Sequence, residues 1–124
     1  MIDHVSLGTT RYDEAVDFYR KVLAPLGVAL LSDTGEEAAY GTADHWGFFL
    51  YRATGVAPVT GDRMHLAWGA PDRATVRAVH RAALQALAGD IFGPRERPDI
   101  SSTYFGAMFT DLDGHRIEVK TDAA

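Results

Sequence analysis

The chain has 124 residues, of which 47% are apolar, and a formal net charge of −5 at pH 7. This length predicts one domain, which buries about two-thirds of its unfolded surface. The acidic balance and the lack of a Lys/Arg run argue against nucleic acid as a partner. Because the chain has no cysteine, disulfides, thiol nucleophiles and thiolate metal sites are excluded.

Membrane partners are also not expected. No apolar run is long enough for a membrane span, and no basic segment precedes the first strand. These two observations predict a cytoplasmic protein.

The first half of the chain predicts a strand, a helix and three further strands. The first strand begins at Ile2, and the helix follows a capping pair of Thr10 and Asp13 and ends at Gly27. The three strands, separated by turn-forming residues, are expected at residues 28–31, 38–41 and 46–51.

The second half repeats this order. A strand at 64–69 leads into a helix that Pro71 or Asp72 opens and that stops near Gly89. The apolar residues predicted on its inward face are Val76, Val79, Ala83, Leu84 and Leu87. A short strand at 90–93, a polar loop at 95–102 and a hairpin with strands 104–110 and 115–120 complete this half.

The predicted organisation is one domain of two paired modules. Residues 1–52 form the first module and residues 63–124 the second. Residues 53–62 contain two glycines and a proline and therefore predict the linker between them.

Two histidines hold the same position in the two modules, in segments 2–8 and 63–69. Because side chains alternate faces along a strand, His4 and His65 are expected on the face opposite the apolar one. Glu118 has the same relation to its apolar neighbours in the last strand. Two imidazoles and one carboxylate from separate strands predict a divalent metal site.

The hairpin at 104–118, with its Asp-x-Asp-Gly turn and Ile-Glu pair, strengthens this prediction. Together with the two histidine-containing strands, each followed by a helix, it resembles the vicinal oxygen chelate superfamily, which includes glyoxalases, bleomycin-resistance proteins and extradiol dioxygenases. The resemblance implies an α+β fold of two βαβββ modules that form an incomplete, cupped β-barrel with helices on the outside. It further implies one divalent metal ion (Zn, Ni, Mn or Fe) held by His4, His65 and Glu118, and a homodimer.

Two functions remain open. The first is a metal-dependent enzyme acting on a small substrate chelated through two oxygens, by lyase, isomerase, thiol-transfer or dioxygenase chemistry. Glu118 and Tyr104 are its candidate catalytic residues. The alternative is a metal-free protein of the bleomycin-resistance type that sequesters a cationic or aromatic small molecule, a role that the acidic net charge fits.

The candidate substrate contacts are aromatic or cationic, and comprise Trp46, Phe48, Trp68 and Arg116. Aligning residues 47–51 with 114–118 places Tyr51 at the position of Glu118, where a fourth metal ligand of the glyoxalase I kind would otherwise stand.

Other polar residues are expected to be solvated. Arg95 and Arg97 lie in the predicted polar loop. His115 flanks a turn and is expected to be exposed, with a place at the border of the cleft as the alternative. His80 is expected on the solvent-exposed edge of its helix.

Overall fold

The computed structural model describes residues 1–55 and 63–124. Most of the predicted linker at 53–62 lies outside the described residues, and its boundaries remain a prediction. The elements in chain order are β1 (Val5–Thr9), α1 (Tyr12–Val22), β2 (Ala29–Asp33), β3 (Glu37–Gly41), β4 (Trp46–Arg52), β5 (Leu66–Gly69), α2 (Arg73–Gln85), β6 (Gly89–Glu96), β7 (Phe105–Thr110) and β8 (Arg116–Thr121).

The strands form two four-stranded sheets of identical topology. The first has the order β1-β4-β3-β2 and the second the order β5-β8-β7-β6. In each sheet the edge strand β1 or β5 runs parallel to its neighbour, and the remaining pairs are antiparallel. Both sheets are open. The predicted α+β fold of two βαβββ modules is therefore confirmed.

The two helices begin and end where local chemistry dictates. The segment after α1 continues as a one-turn 3₁₀ helix, Ala24–Leu26, and ends at Gly27, whose φ of 75° glycine adopts readily. Helix α2 is capped by Asp72, whose carboxylate accepts a hydrogen bond from the Thr75 backbone N–H at 2.7 Å. Neither helix in the described part of the chain is long and apolar enough to cross a membrane.

The inward face of α2 differs from the prediction at its C-terminal end. Leu84 and Leu87 are 39% and 83% exposed, because the helix ends at Gln85 and Leu87 continues with a positive φ of 71°. His80 occupies a buried position instead, where its ring nitrogen contacts the Asp90 carboxylate at 2.9 Å. The expectation of a solvated His80 was wrong.

Strand β6 is longer than predicted. It continues to Glu96, and Arg95 and Glu96 pair with Gly106 and Phe105 on β7. The polar loop predicted at 95–102 therefore begins two residues later.

One hydrophobic core joins the two modules. Alternate residues of the central strands, such as Phe48 on β4 and Ile117 on β8, point into it, while their neighbours face away from it. Phe18 on α1 contacts Phe109 on β7, with ring centroids 6.5 Å apart. Burial of each large apolar side chain contributes roughly 1.5–3 kcal/mol, so the core stabilises both modules together.

The turn before β8 also connects the modules. Asp111 accepts hydrogen bonds from the Tyr19 hydroxyl at 2.5 Å and from the His115 backbone N–H at 2.9 Å. The His115 ring donates to the carbonyl oxygen of Gly8 at 2.9 Å. Only 8% of His115 is exposed, so the expectation of a solvated side chain was wrong. Burial raises the pKa of the Tyr19 hydroxyl, which therefore acts as a donor to Asp111.

Candidate metal and substrate site

His65 and Glu118 meet on the face of the second sheet that α2 does not cover. His65 immediately precedes β5, and the parallel pairing of β5 with β8 places Ala67 opposite Glu118. The Nε2 atom of His65 lies 3.1 Å from Oε1 of Glu118. The second carboxylate oxygen accepts a hydrogen bond of 2.7 Å from the hydroxyl of Tyr104.

The hydrogen bond at the other ring nitrogen of His65 sets its protonation. Nδ1 lies 2.8 Å from the backbone carbonyl oxygen of Arg63, which can only accept, so Nδ1 carries a proton. In the neutral imidazole, Nε2 then carries a lone pair, which faces a carboxylate oxygen. Two acceptors at this distance need a proton or a cation between them. The donor set therefore fits a divalent metal ion, for which imidazole and carboxylate are suitable ligands.

Tyr104 reaches Glu118 by passing over a glycine. A β-carbon at Gly106 would lie 2.3 Å from the Tyr104 hydroxyl oxygen and 2.9 Å from the carbonyl oxygen of Val119, so only glycine leaves room for the ring. Burial, followed by the hydrogen bond to Glu118, raises the pKa of Tyr104. The phenol thus keeps its proton at neutral pH and orients the carboxylate.

His4 lies at the equivalent place before β1. Its Nδ1 donates to the carboxylate of Asp3 at 2.8 Å, so Nε2 carries the lone pair of the neutral ring, as in His65. That hydrogen bond is the main cause of the lowered pKa of Asp3. Within residues 1–55 and 63–124, no three side chains of the His, Asp or Glu type are grouped closely enough to hold a metal ion. The described chain thus brings together two of the three predicted ligands.

The strand register corrects the predicted equivalence of Tyr51 and Glu118. Val5 pairs with Phe48, and Leu66, its counterpart, pairs with Ile117. The residues that follow, Phe49 and Glu118, are therefore equivalent. The His4 ring accordingly packs against Phe49, with centroids 5.4 Å apart, at the place where His65 meets Glu118.

A cavity of about 530 Å³ lies beside His65 and Glu118. Arg116, one of the predicted substrate contacts, lines it. Its remaining lining residues are Arg63, Ile91, Phe92, Arg97, Asp99, Ile100, Tyr104 and Met108.

The three aromatic candidates for substrate contact lie elsewhere. Phe48 is fully buried and contacts Trp68, with ring centroids 5.5 Å apart. Both residues line two smaller pockets, of about 190 and 200 Å³. His4 and Ala67 share the second of these, so the beginning of β1 lies beside β5. Trp46 is half-exposed at the start of β4.

Arg97 is a lining residue that the sequence prediction missed. It was expected to be solvated, but its guanidinium forms two hydrogen bonds with Asp99, at 2.8 and 2.6 Å, at the cavity. The Arg-x-Asp spacing within a short loop was a possible signal for this pair.

Comparisons with known proteins agree with this fold. The family model of the Glyoxalase/Bleomycin resistance protein/Dioxygenase superfamily matches residues 1–119. Among the curated proteins none matches the sequence.

Several solved structures share the fold. A glyoxalase/bleomycin resistance protein from Albidiferax ferrireducens has a TM-score of 0.82 and 21% identity, over 96% of this chain and 97% of that one. A glyoxalase/dioxygenase from Nostoc punctiforme has a TM-score of 0.75 and 22% identity, over 100% and 92%. The fosfomycin resistance protein FosX from Listeria monocytogenes has a TM-score of 0.72 and 14% identity, over 98% and 92%.

Proposed function

The chain belongs to the Glyoxalase/Bleomycin resistance protein/Dioxygenase superfamily, and on this basis we propose that it is a divalent-metal-dependent enzyme. Its substrate is a small molecule with two neighbouring oxygens, and its reaction is of the lyase, isomerase, thiol-transfer or dioxygenase kind. The contact that carries this proposal is the 3.1 Å approach of His65 Nε2 to Glu118 Oε1.

Two features of the chain support a metal ion at this contact. The Arg63 carbonyl holds the His65 proton on Nδ1, which directs the Nε2 lone pair towards Glu118. The Tyr104 hydroxyl donates a hydrogen bond to Oε2, the other carboxylate oxygen of Glu118. Fixed tautomers and oriented carboxylates of this kind are typical of metal ligands. His65 and Glu118 would hold the ion, with His4 as the third ligand.

The chain's own residues have separable roles in this proposal. A bound divalent ion would supply Lewis acidity towards the paired oxygens of the substrate. Glu118 acts as a ligand and as a carboxylate that can accept a substrate proton. Tyr104 keeps its proton and positions Glu118, while the cavity beside them accommodates the substrate.

Metal analysis tests the proposal. Protein purified without chelator should contain about one equivalent of Zn, Ni, Mn or Fe per chain, and His65→Ala and Glu118→Gln should abolish this content. Glu14→Gln, which changes an exposed carboxylate on α1, is the matched control. Less than about a tenth of an equivalent, with no uptake of any of these metals, would refute the proposal.

The third ligand leads to a proposal about assembly. We propose a homodimer, formed side by side or by exchange of modules, whose formation completes the cleft. A monomeric mass by light scattering at micromolar concentration would contradict it.

A mixing experiment identifies the chain that supplies His4. Neither His4→Ala nor Glu118→Ala alone contains a complete site. If His4 comes from the second copy, co-expression of the two variants should restore about a quarter of the metal content, because half of the dimers are mixed and each has one intact site. If all three ligands come from one chain, nothing is restored.

The metal-free alternative makes a different prediction for the same contact. Without an ion, a protonated His65 would form an ordinary ion pair with Glu118. Added metal would then leave the melting temperature unchanged, whereas a bound metal raises it.

A further inference from the structure

The cavity beside Glu118 contains more positive than negative side chains. Three arginines line it, Arg63, Arg97 and Arg116, against the carboxylates Asp99 and Glu118. Arg97 is neutralised by its two hydrogen bonds to Asp99. An acidic protein thus carries a locally cationic cavity, whose charge is opposite to its net charge of −5.

Arg116 is the best-placed of these cations. It precedes Glu118 by two residues on β8, so both side chains project from the same face of the sheet, about 7 Å apart along the strand. Within residues 1–55 and 63–124, Arg116 has no carboxylate at ion-pair distance. A guanidinium presents a planar fork of donors that matches the two oxygens of a carboxylate.

Part of the lining of the cavity is apolar. Ile91 and Ile100 are large apolar side chains that remain exposed there. The guanidinium groups of Arg95 and Arg97 lie 4.6 and 5.2 Å from the ring centroid of Phe92 and hold it in place. Exposed apolar surface next to a cation is the surface that an amphipathic anion would cover.

We propose that this cavity selects small carboxylic acids with an apolar body. The carboxylate binds Arg116, the apolar body lies against Ile91 and Ile100, and the paired oxygens lie towards Glu118. This inference rests on the proposed function, because it assigns the substrate class of the same site. It also predicts that a cationic small molecule is disfavoured, in contrast to the sequestering role that the net charge suggested.

Binding to chelator-treated protein tests the charge preference without metal. The probes are 3-phenylpropanoate, the neutral 3-phenylpropanamide and the cationic 3-phenylpropylamine, titrated at low salt while backbone amide NMR shifts are recorded. We expect the carboxylate to bind about three- to tenfold more tightly than the amide, the amine to bind most weakly, and the preference to decrease as salt is added. The shifts should map to the strand segments around Arg116.

Two variants assign the effect to one residue. Arg116→Gln should remove the preference for the carboxylate, and its thermal melt should show that it remains folded. Arg20→Gln, on α1 and paired with Asp17, should retain the preference. Equal binding of acid and amide, tighter binding of the amine, or an unchanged preference in Arg116→Gln would overturn the inference.

Metal uptake, measured after metal is added back to the same chelator-treated preparations, separates this inference from the proposed function. Arg116→Gln should take up as much metal as the unsubstituted protein, since Arg116 is not a proposed ligand. In the unsubstituted protein, absence of metal uptake with a clear charge preference would refute the proposed function, whereas normal uptake without a charge preference would refute the inference.

Discussion

Deleting a single oxygen atom removes the hydrogen bond from Tyr104 to Glu118. Tyr104→Phe deletes the hydroxyl oxygen that lies 2.7 Å from Glu118 Oε2 and keeps the ring. Both residues are buried, so water cannot easily replace the lost donor. The carboxylate then loses the group that orients it.

The expected cost follows from the kind of bond. A hydrogen bond to a charged group contributes about 1.5–3 kcal/mol. A chain of this length has an unfolding entropy of roughly 0.26 kcal/mol/K, so the metal-free variant should melt about 6–12 °C lower than the metal-free unsubstituted protein. Because Glu118 is a proposed ligand, the affinity for metal should also fall about 10- to 100-fold.

Two measurements check these values. Thermal or urea unfolding of chelator-treated protein gives the change in stability, and competition with a metal-binding dye gives the change in affinity. Tyr51→Phe, a change at a tyrosine that is 39% exposed, is the matched control and should alter neither. An unfolding free energy of Tyr104→Phe within about 0.5 kcal/mol of the unsubstituted protein would refute the reasoning.

Three further predictions concern the hydrogen-bonding tyrosines. Gly106→Ala places a β-carbon 2.3 Å from the Tyr104 hydroxyl oxygen and should reproduce the loss of metal affinity, measured with the same dye; unchanged affinity would contradict it. Tyr19→Phe removes the 2.5 Å bond to Asp111 and should lower the unfolding free energy by about 1–3 kcal/mol in urea; an unchanged unfolding free energy would contradict this. Folding raises the pKa of several tyrosine hydroxyls above the ordinary value of 10. The stability that these protonated hydroxyls contribute is therefore fully present below pH 10 and is lost as the pH rises towards the pKa in the folded protein. Unfolding followed from pH 9 to 12 should therefore show falling stability, and a flat profile would be evidence against the raised pKa of Tyr12, Tyr19, Tyr40 and Tyr104.

The order of elements was predictable because it depends on local patterns. Alternating and helical periodicity gave both βαβββ modules, and Asp72 was recognised as a possible helix cap. The exposure of Leu84 and Leu87 was not predictable, because it depends on the residue at which α2 ends. The burial of His115 depends on a hydrogen bond to Gly8, 107 residues away, which no local pattern contains.

The site was predictable only where it depends on local strand patterns. The phase of β5 and β8 placed His65 and Glu118 on one face, where they meet. The position equivalent to Glu118 in the first module was assigned wrongly, because aligning the segments by their glycines ignores the pairing register that puts Phe49 there. The lining by Arg97 arises from the path of the loop after β6, for which strand periodicity carries no information.

Each sheet has a glycine with a tyrosine ring above it, Gly8 beneath Tyr51 and Gly106 beneath Tyr104. A β-carbon at Gly8 would approach its ring to 3.0 Å, and one at Gly106 would approach the phenol oxygen to 2.3 Å. The shape of the face of the second sheet that carries Glu118 therefore depends on Gly106, a residue without a side chain. A survey of natural variants that inspects only donors and ligands would overlook Gly106, although its replacement should disable the face as thoroughly as loss of the phenol itself.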